Sequence, residues 1–227
     1  YPFLLLDPST ADLIQDIKRT TQIIFPKDAA YILMRLSIQP GSTVIEAGSG
    51  SGGLTTALAR AAMPGGRVIS YEVRPDMQNL ARKNLDRAGL ADRVEFKLKD
   101  IETGFDETEV DAVFLDVPEP SKFLSIAAAA LRGGGYLGTL VPTTNQIVRL
   151  LGALEHQPFG MIEVEELMLR SYKTVGERFR PLDRMIGHTG YLLFARKIDR
   201  VREEPKIDEE FTLETDADNT DEVESIQ

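Results

Sequence analysis

Short runs of β-branched and apolar residues alternate along the chain with longer stretches whose apolar positions recur three and four residues apart, so strands and amphipathic helices follow one another. The first clear run ends in Glu46 and meets the glycines of STVIEAGSGSGGLT, residues 42–55, after which a helical pattern starts at Leu54. Downstream, the periods predict a helix over 54–63, a strand over 67–73, and a helix over 75–88 with proline in its first turn. Strands over 94–98 and 112–117, a helix over 122–131, a strand over 136–141 and a helix over 144–155 follow. Two last strands, 161–169 and 190–197, are joined by a long polar connection without a helix. Ahead of the glycines, 29–36 reads as a helix with Asp28 as its N-cap, stopped by Gln39-Pro40-Gly41. The expected fold is α/β and Rossmann-like: a mostly parallel, doubly wound sheet closed by a C-terminal antiparallel hairpin.

A strand, a glycine turn and a helix start make a ligand turn, because glycines take positive φ and the opening helix turn has N–H groups to donate. Gly48, Gly50 and Gly53 satisfy G-x-G-x-x-G, which suits a nicotinamide dinucleotide as well as other nucleotide-like cofactors. Ligands of open α/β sheets sit beyond the carboxyl ends of the strands, and four successive strands bring Glu46, Glu72, Asp100 and Asp116 to that rim. Glu72 suits a ribose diol, which serves NAD and S-adenosylmethionine equally. Asp100 suits an adenine amine, and Glu46 either holds the turn or faces a cofactor ammonium. A rim this acidic favours a sulfonium over a pyrophosphate.

Composition narrows the class. With 227 residues, 42% of them hydrophobic, the chain has material for one sizeable core. It has no cysteine and two histidines, which argues against a thiolate or histidine-rich metal site. No apolar run long enough to span a bilayer and no basic-then-apolar leader is visible, so the expectation is a cytoplasmic protein. Tyr1 in place of an initiator methionine leads to the expectation of a preceding segment. The net charge is −10, and residues 203–227 alone hold eleven acids and one lysine, so the rest is neutral. Three regions are expected: 1–28 as the remnant of an N-terminal region and linker, 29–198 as the catalytic domain, and 199–227 as a disordered acidic tail.

EAGSGSGGLT, YEVRP, the KD after the third strand and LDVPEP after the fourth resemble the class I S-adenosylmethionine-dependent methyltransferases. TTQIIFPKDAAYIL, EAGSGSGG, LDVPEP and RMIGHTGYLLFARK, in this order, more narrowly resemble the tRNA adenine-N1 methyltransferases that modify tRNA position 58, and in some archaea position 57. The likeness runs from about residue 3 to residue 198. It implies cofactor contacts from Gln22, Phe25, Gly48, Ser49, Gly50, Ser51, Gly52, Gly53, Leu54, Glu72 and Asp100; Glu46 and Asp116 join them from their places on the rim. It also implies Asp116 as the catalytic acid–base residue, tRNA as substrate, and a homotetramer. Phe25 stands where members often have tyrosine, Ser121 where they often have tryptophan, and the family's small N-terminal β domain is largely missing.

The chemistry suits a carboxylate at Asp116. Adenine N1 attacks a sulfonium methyl with its in-plane lone pair, and an anion accepting from N6 raises its nucleophilicity and takes the proton the product sheds. For RNA, residues 170–188 bring Arg170, Lys173, Arg178, Arg180 and Arg184 against Glu177 and Asp183, and Lys18, Arg19 and Lys27 extend that surface. His188 reads as a structural or interface residue. The rival readings are a methyltransferase for a small substrate such as a corrinoid precursor, a non-catalytic RNA-binding subunit of a methyltransferase assembly, and a nicotinamide dehydrogenase.

Overall fold

The computed structural model describes residues 3–198, so the acidic tail expected over 199–227 lies outside the described residues. Seven strands form one sheet in the order β3-β2-β1-β4-β5-β7-β6. They are β1 (Thr43–Ala47), β2 (Arg67–Glu72), β3 (Val94–Leu98), β4 (Val110–Leu115), β5 (Leu131–Val141), β6 (Phe159–Glu165) and β7 (Tyr191–Lys197). β1 to β5 run parallel, whereas β7 lies antiparallel between β5 and β6, the closing hairpin foreseen from the sequence. Among the described residues no helix is long and apolar enough to cross a membrane.

The central strands are apolar on both faces, and the pleat sends alternate residues to two cores. Val44, Val68, Ala112 and Phe114 pack with α1 (Thr10–Gln15), α2 (Pro26–Arg35), α3 (Gly53–Ala61) and α4 (Pro75–Arg87). Ile45, Ile69, Val113 and Leu115 face α5 (Leu124–Ala130) and α6 (Thr144–Leu154). Within the segment 1–28, Ile14 and Ile24 are buried in the first core.

The strands expected over 112–117 and 161–169 are Val110–Leu115 and Phe159–Glu165, and three further boundaries differ for a plain physical reason. α2 starts at Pro26 with Phe25 as N-cap, so Asp28 is not the cap; proline fixes the first helical φ and puts Asp28 inside the first turn. β5 begins five residues earlier than expected, because Val110 pairs with Leu131 and Ala112 with Tyr136, and the intervening glycine run bulges out of register. The helix expected over 122–131 opens instead with a tight 3₁₀ turn, Pro120–Phe123.

Candidate active site

The carboxyl ends of β2, β1, β4 and β5 open into one cavity of ≈ 850 Å³, closed from above by residues 21–24. Gly48 and Gly50 form its floor, Glu72, Val73 and Arg74 one end, Asp116 to Pro118 the middle, and Leu140, Pro142, Gln146, Asp28 and Thr189 the other end.

The glycine turn fits β1 to β4 as tightly as backbone allows. Gly48 has φ +95, and a Cβ there would stand 2.1 Å from the Asp116 carbonyl oxygen. Asp116 N–H donates to Ala47 O at 2.8 Å, extending the β1–β4 ladder by one residue beyond β4. The turn and Asp116 are therefore one rigid unit. N–H groups of the turn itself are engaged within the protein: Gly48 and Ser49 donate to Tyr71 O, Gly50 to Glu72 Oε2, and Gly52 to Ser49 O. Ser49, Ser51, Gly52, Gly53 and Leu54 are buried behind the cavity wall. Ile23 packs over Gly53.

Of the four rim carboxylates, Glu72 and Asp116 line the cavity and two do not. Glu46 is buried beneath the turn, where its Oε2 accepts from Thr55 Oγ1 and Ser70 Oγ, both at 2.6 Å. Of the two roles read from the sequence, the hydrogen bonds match holding the turn. Burial pushes its pKa up to about 8, the two hydroxyls pull it back, and Asp116 and Glu72 add to the rise, so it is protonated at neutral pH. Asp100 is exposed and caps the next turn by accepting from Glu102 N–H at 2.9 Å; its neighbours Lys99 and Ile101 reach the cavity. Phe25 also stays off the wall, whereas Gln22 lies on it.

Water reaches Asp116 through the cavity, yet the surrounding protein removes enough solvent to push its pKa up to about 6, and the Glu72 charge acts in the same direction. It remains ionised at neutral pH and is more basic than an ordinary aspartate. Its loop is held from α6 by Gln146, whose Nε2 donates to Pro118 O at 3.0 Å. Glu72 accepts from Val73 and Arg74 N–H at 3.0 Å and from the Arg74 guanidinium at 3.2 and 3.3 Å. Arg74 is the arginine of YEVRP, although that motif alone does not show its bond to Glu72. Asn84 lies in no motif, and it ties Lys18 O at 2.8 Å and Ser51 O at 2.9 Å, fixing the segment above the cavity to the turn below.

The expected RNA cations divide. Lys27 is not a surface charge: its Nζ donates to Asp28 Oδ1, Thr189 Oγ1 and Leu167 O at 2.7–2.8 Å, because α2 packs against the approach to β7. Arg180 and Lys173 pair with Asp183, while Lys18, Arg19, Arg170, Arg178 and Arg184 are exposed. The connection called polar also exposes Met168, Leu169, Tyr172, Val175, Phe179 and Ile186. His188 bridges Glu166 at 2.6 Å and Pro142 O at 2.9 Å, and the bond to Glu166 raises its pKa.

This strand order, with a glycine turn and two acids at the carboxyl rim, defines a Rossmann-like methyltransferase. Residues 4–179 match the family described as tRNA methyltransferase complex GCD14 subunit, and the chain belongs to that family. The chain is 34% identical to the tRNA (adenine(57)-N(1)/adenine(58)-N(1))-methyltransferase TrmI of Methanocaldococcus jannaschii, over 86% of this chain and 79% of the relative. Among solved structures, TrmI of Aquifex aeolicus, a tRNA (m1A58) methyltransferase, superposes with TM-score 0.80 at 38% identity, covering 85% of this chain and 77% of that one. A Thermotoga maritima protein described as a SAM-dependent O-methyltransferase gives TM-score 0.83 at 47% identity, covering 86% and 74%.

Proposed function

We propose that this chain transfers a methyl group from S-adenosylmethionine to N1 of an adenine in the T-loop of tRNA, at position 58, with position 57 as a further target. The observation that carries this reading is the single cavity in which Asp116, Glu72 and the glycine turn meet, in a chain of the GCD14 family.

The residues present fit the cofactor. S-adenosylmethionine supplies the methyl on a sulfonium centre. Glu72 is buried at the β2 end on the cavity wall, and it takes the ribose diol in place of the guanidinium of Arg74, whose side chain is half exposed. Gly48 and Gly50 line the floor without side chains, which leaves room for the reactive centre beside Asp116. Asp116 accepts from the adenine N6 amine, which increases electron density at N1, orients the ring and balances the positive charge it gains. A pKa of about 6 keeps the acceptor ionised at working pH. Alignment of N1 with the methyl supplies the larger share of the rate.

The exposed cations of the β6–β7 connection, with Lys18 and Arg19, form the proposed tRNA face in a cytoplasmic setting. The apolar side chains beside them are the proposed contact between copies of the chain in a homotetramer. The test is mass spectrometry of nucleosides from unmodified tRNA after incubation with protein and cofactor, with 1-methyladenosine expected. The Thermotoga maritima neighbour's description favours a second reading, a hydroxyl acceptor. Chromatographic separation of 1-methyladenosine from 2′-O-methyladenosine decides between them, and an O-methylated product sinks the N1 reading.

A further inference from the structure

One end of the cavity holds polar groups that the reading above does not use. Asp28 is buried at 1% exposure, and of its two carboxylate oxygens Oδ1 receives Lys27 Nζ at 2.7 Å while Oδ2 is buried without a hydrogen-bond partner. An unmatched buried acceptor is unfavourable, so it calls for a partner when the site is filled. Thr189 stands beside it: its Oγ1 accepts from the same Lys27 Nζ at 2.7 Å, so its own O–H is left to donate elsewhere. Both residues line the cavity. Sharing one ammonium holds Asp28 Oδ1 and Thr189 Oγ1 no further apart than twice that distance.

The place of Thr189 on the sheet rim, with Asp28 beside it from α2, says what the pair faces. Along the rim the order is Glu72 after β2, Gly48 after β1, Asp116 after β4, Pro142 after β5 and Thr189 before β7. A purine whose N1 points toward the glycine turn and whose N6 meets Asp116 turns its next edge, N6 and N7, toward Thr189 and Asp28. That edge offers one N–H donor and one acceptor in adenine, and two acceptors in guanine.

We infer that Asp28 and Thr189 read the N6/N7 edge of the target base and select adenine over guanine, Asp28 Oδ2 accepting the second N6 hydrogen and Thr189 O–H donating to N7. This rests on the adenine-N1 reading. Lys27 is the positioning residue that aims both groups. Guanine is rejected because its O6 would face the oxygens of Asp28 and Asp116 with no hydrogen between them.

The experiment uses the full chain, S-adenosylmethionine, and tRNA transcripts with adenosine or 7-deazaadenosine, which lacks N7, at the target position. Because the two bases differ in intrinsic N1 reactivity, the quantity compared is the ratio of their kcat/KM values, measured for wild type, Thr189→Val and Thr189→Ser. The wild-type ratio should exceed that of Thr189→Val by about tenfold, the worth of one hydrogen bond, and Thr189→Ser should restore it. Melting temperatures confirm that all three proteins are folded. Asp28→Asn, whose amide can donate to O6, should in addition raise methylation of a guanosine-substituted transcript relative to wild type. Equal ratios in wild type and Thr189→Val overturn the inference alone. Wild type that methylates no adenosine transcript overturns the adenine reading and this inference with it.

Discussion

Gly48→Ala tests whether the turn and Asp116 act as one unit. The added methyl would lie 2.1 Å from Asp116 O and 3.0 Å from its carbonyl carbon, whereas ordinary contact begins at 3.4 Å. Both partners are backbone, pinned by Gly48 N–H to Tyr71 O at 2.8 Å and Asp116 N–H to Ala47 O at 2.8 Å, so neither side chain motion nor a rotamer change relieves the overlap. β1 and β4 must part by roughly 1 Å at the rim, a displacement that costs about 10²-fold in rate when it reaches a catalytic group. Alanine at φ +95 adds strain of about 1–2 kcal/mol. A total destabilisation of about 2–4 kcal/mol is expected, with single-turnover methyl transfer to tRNA slowed about 100-fold at saturating cofactor. Gly50→Ala is the control, with φ +50 and nothing within 4 Å of its Cβ. It should cost about 1 kcal/mol and affect cofactor affinity more than the transfer step. Thermal melts and single-turnover rates of both variants decide the matter; equal behaviour of the two refutes the coupling.

Asp116→Asn should fold normally and lose about 10²- to 10⁴-fold in transfer rate. The wild-type rate should climb as pH rises through about 6, where Asp116 becomes an ionised acceptor, and that limb should vanish in the variant. A retained limb assigns it to another group. Glu72→Ala should weaken cofactor binding by about tenfold or more in calorimetry without unfolding the protein, and an unchanged dissociation constant removes Glu72 from the cofactor set. Glu46 titrates near 8 in the fold and near 4.5 in the unfolded chain, so between those values the folded state holds more protons and stability falls with rising pH. Glu46→Gln abolishes that slope, so its melting temperature relative to wild type should climb from about pH 5 to about pH 8; a constant difference refutes the buried neutral acid.

Periodicity made the strands and helices legible because the central strands are apolar on both faces and the helices carry one apolar side. Boundaries failed where a single residue or a glycine run overrides period: Pro26 at the start of α2, and the bulge that lengthens β5. The site was legible as acids at strand ends, since strand position alone fixes which rim a side chain reaches. Depth was not legible. Glu46 ends inside the protein because Thr55 and Ser70 supply hydroxyls for it, and Lys27 is consumed by partners 140 and 162 residues away in sequence. Asn84 under Lys18 depends on the same kind of distant pairing, 66 residues apart, which leaves no local mark.

The position of β7 dictates an order of assembly. Among the described residues β6 pairs with β7 alone, and β7 is the last strand. During synthesis β5 therefore waits as an open edge until residues 191–197 have left the ribosome, and β6 docks only afterwards. Thr189 arrives with that final strand. The far end of the cavity, to which Leu140, Pro142 and Gln146 also contribute, thus gains Thr189 only when that strand docks.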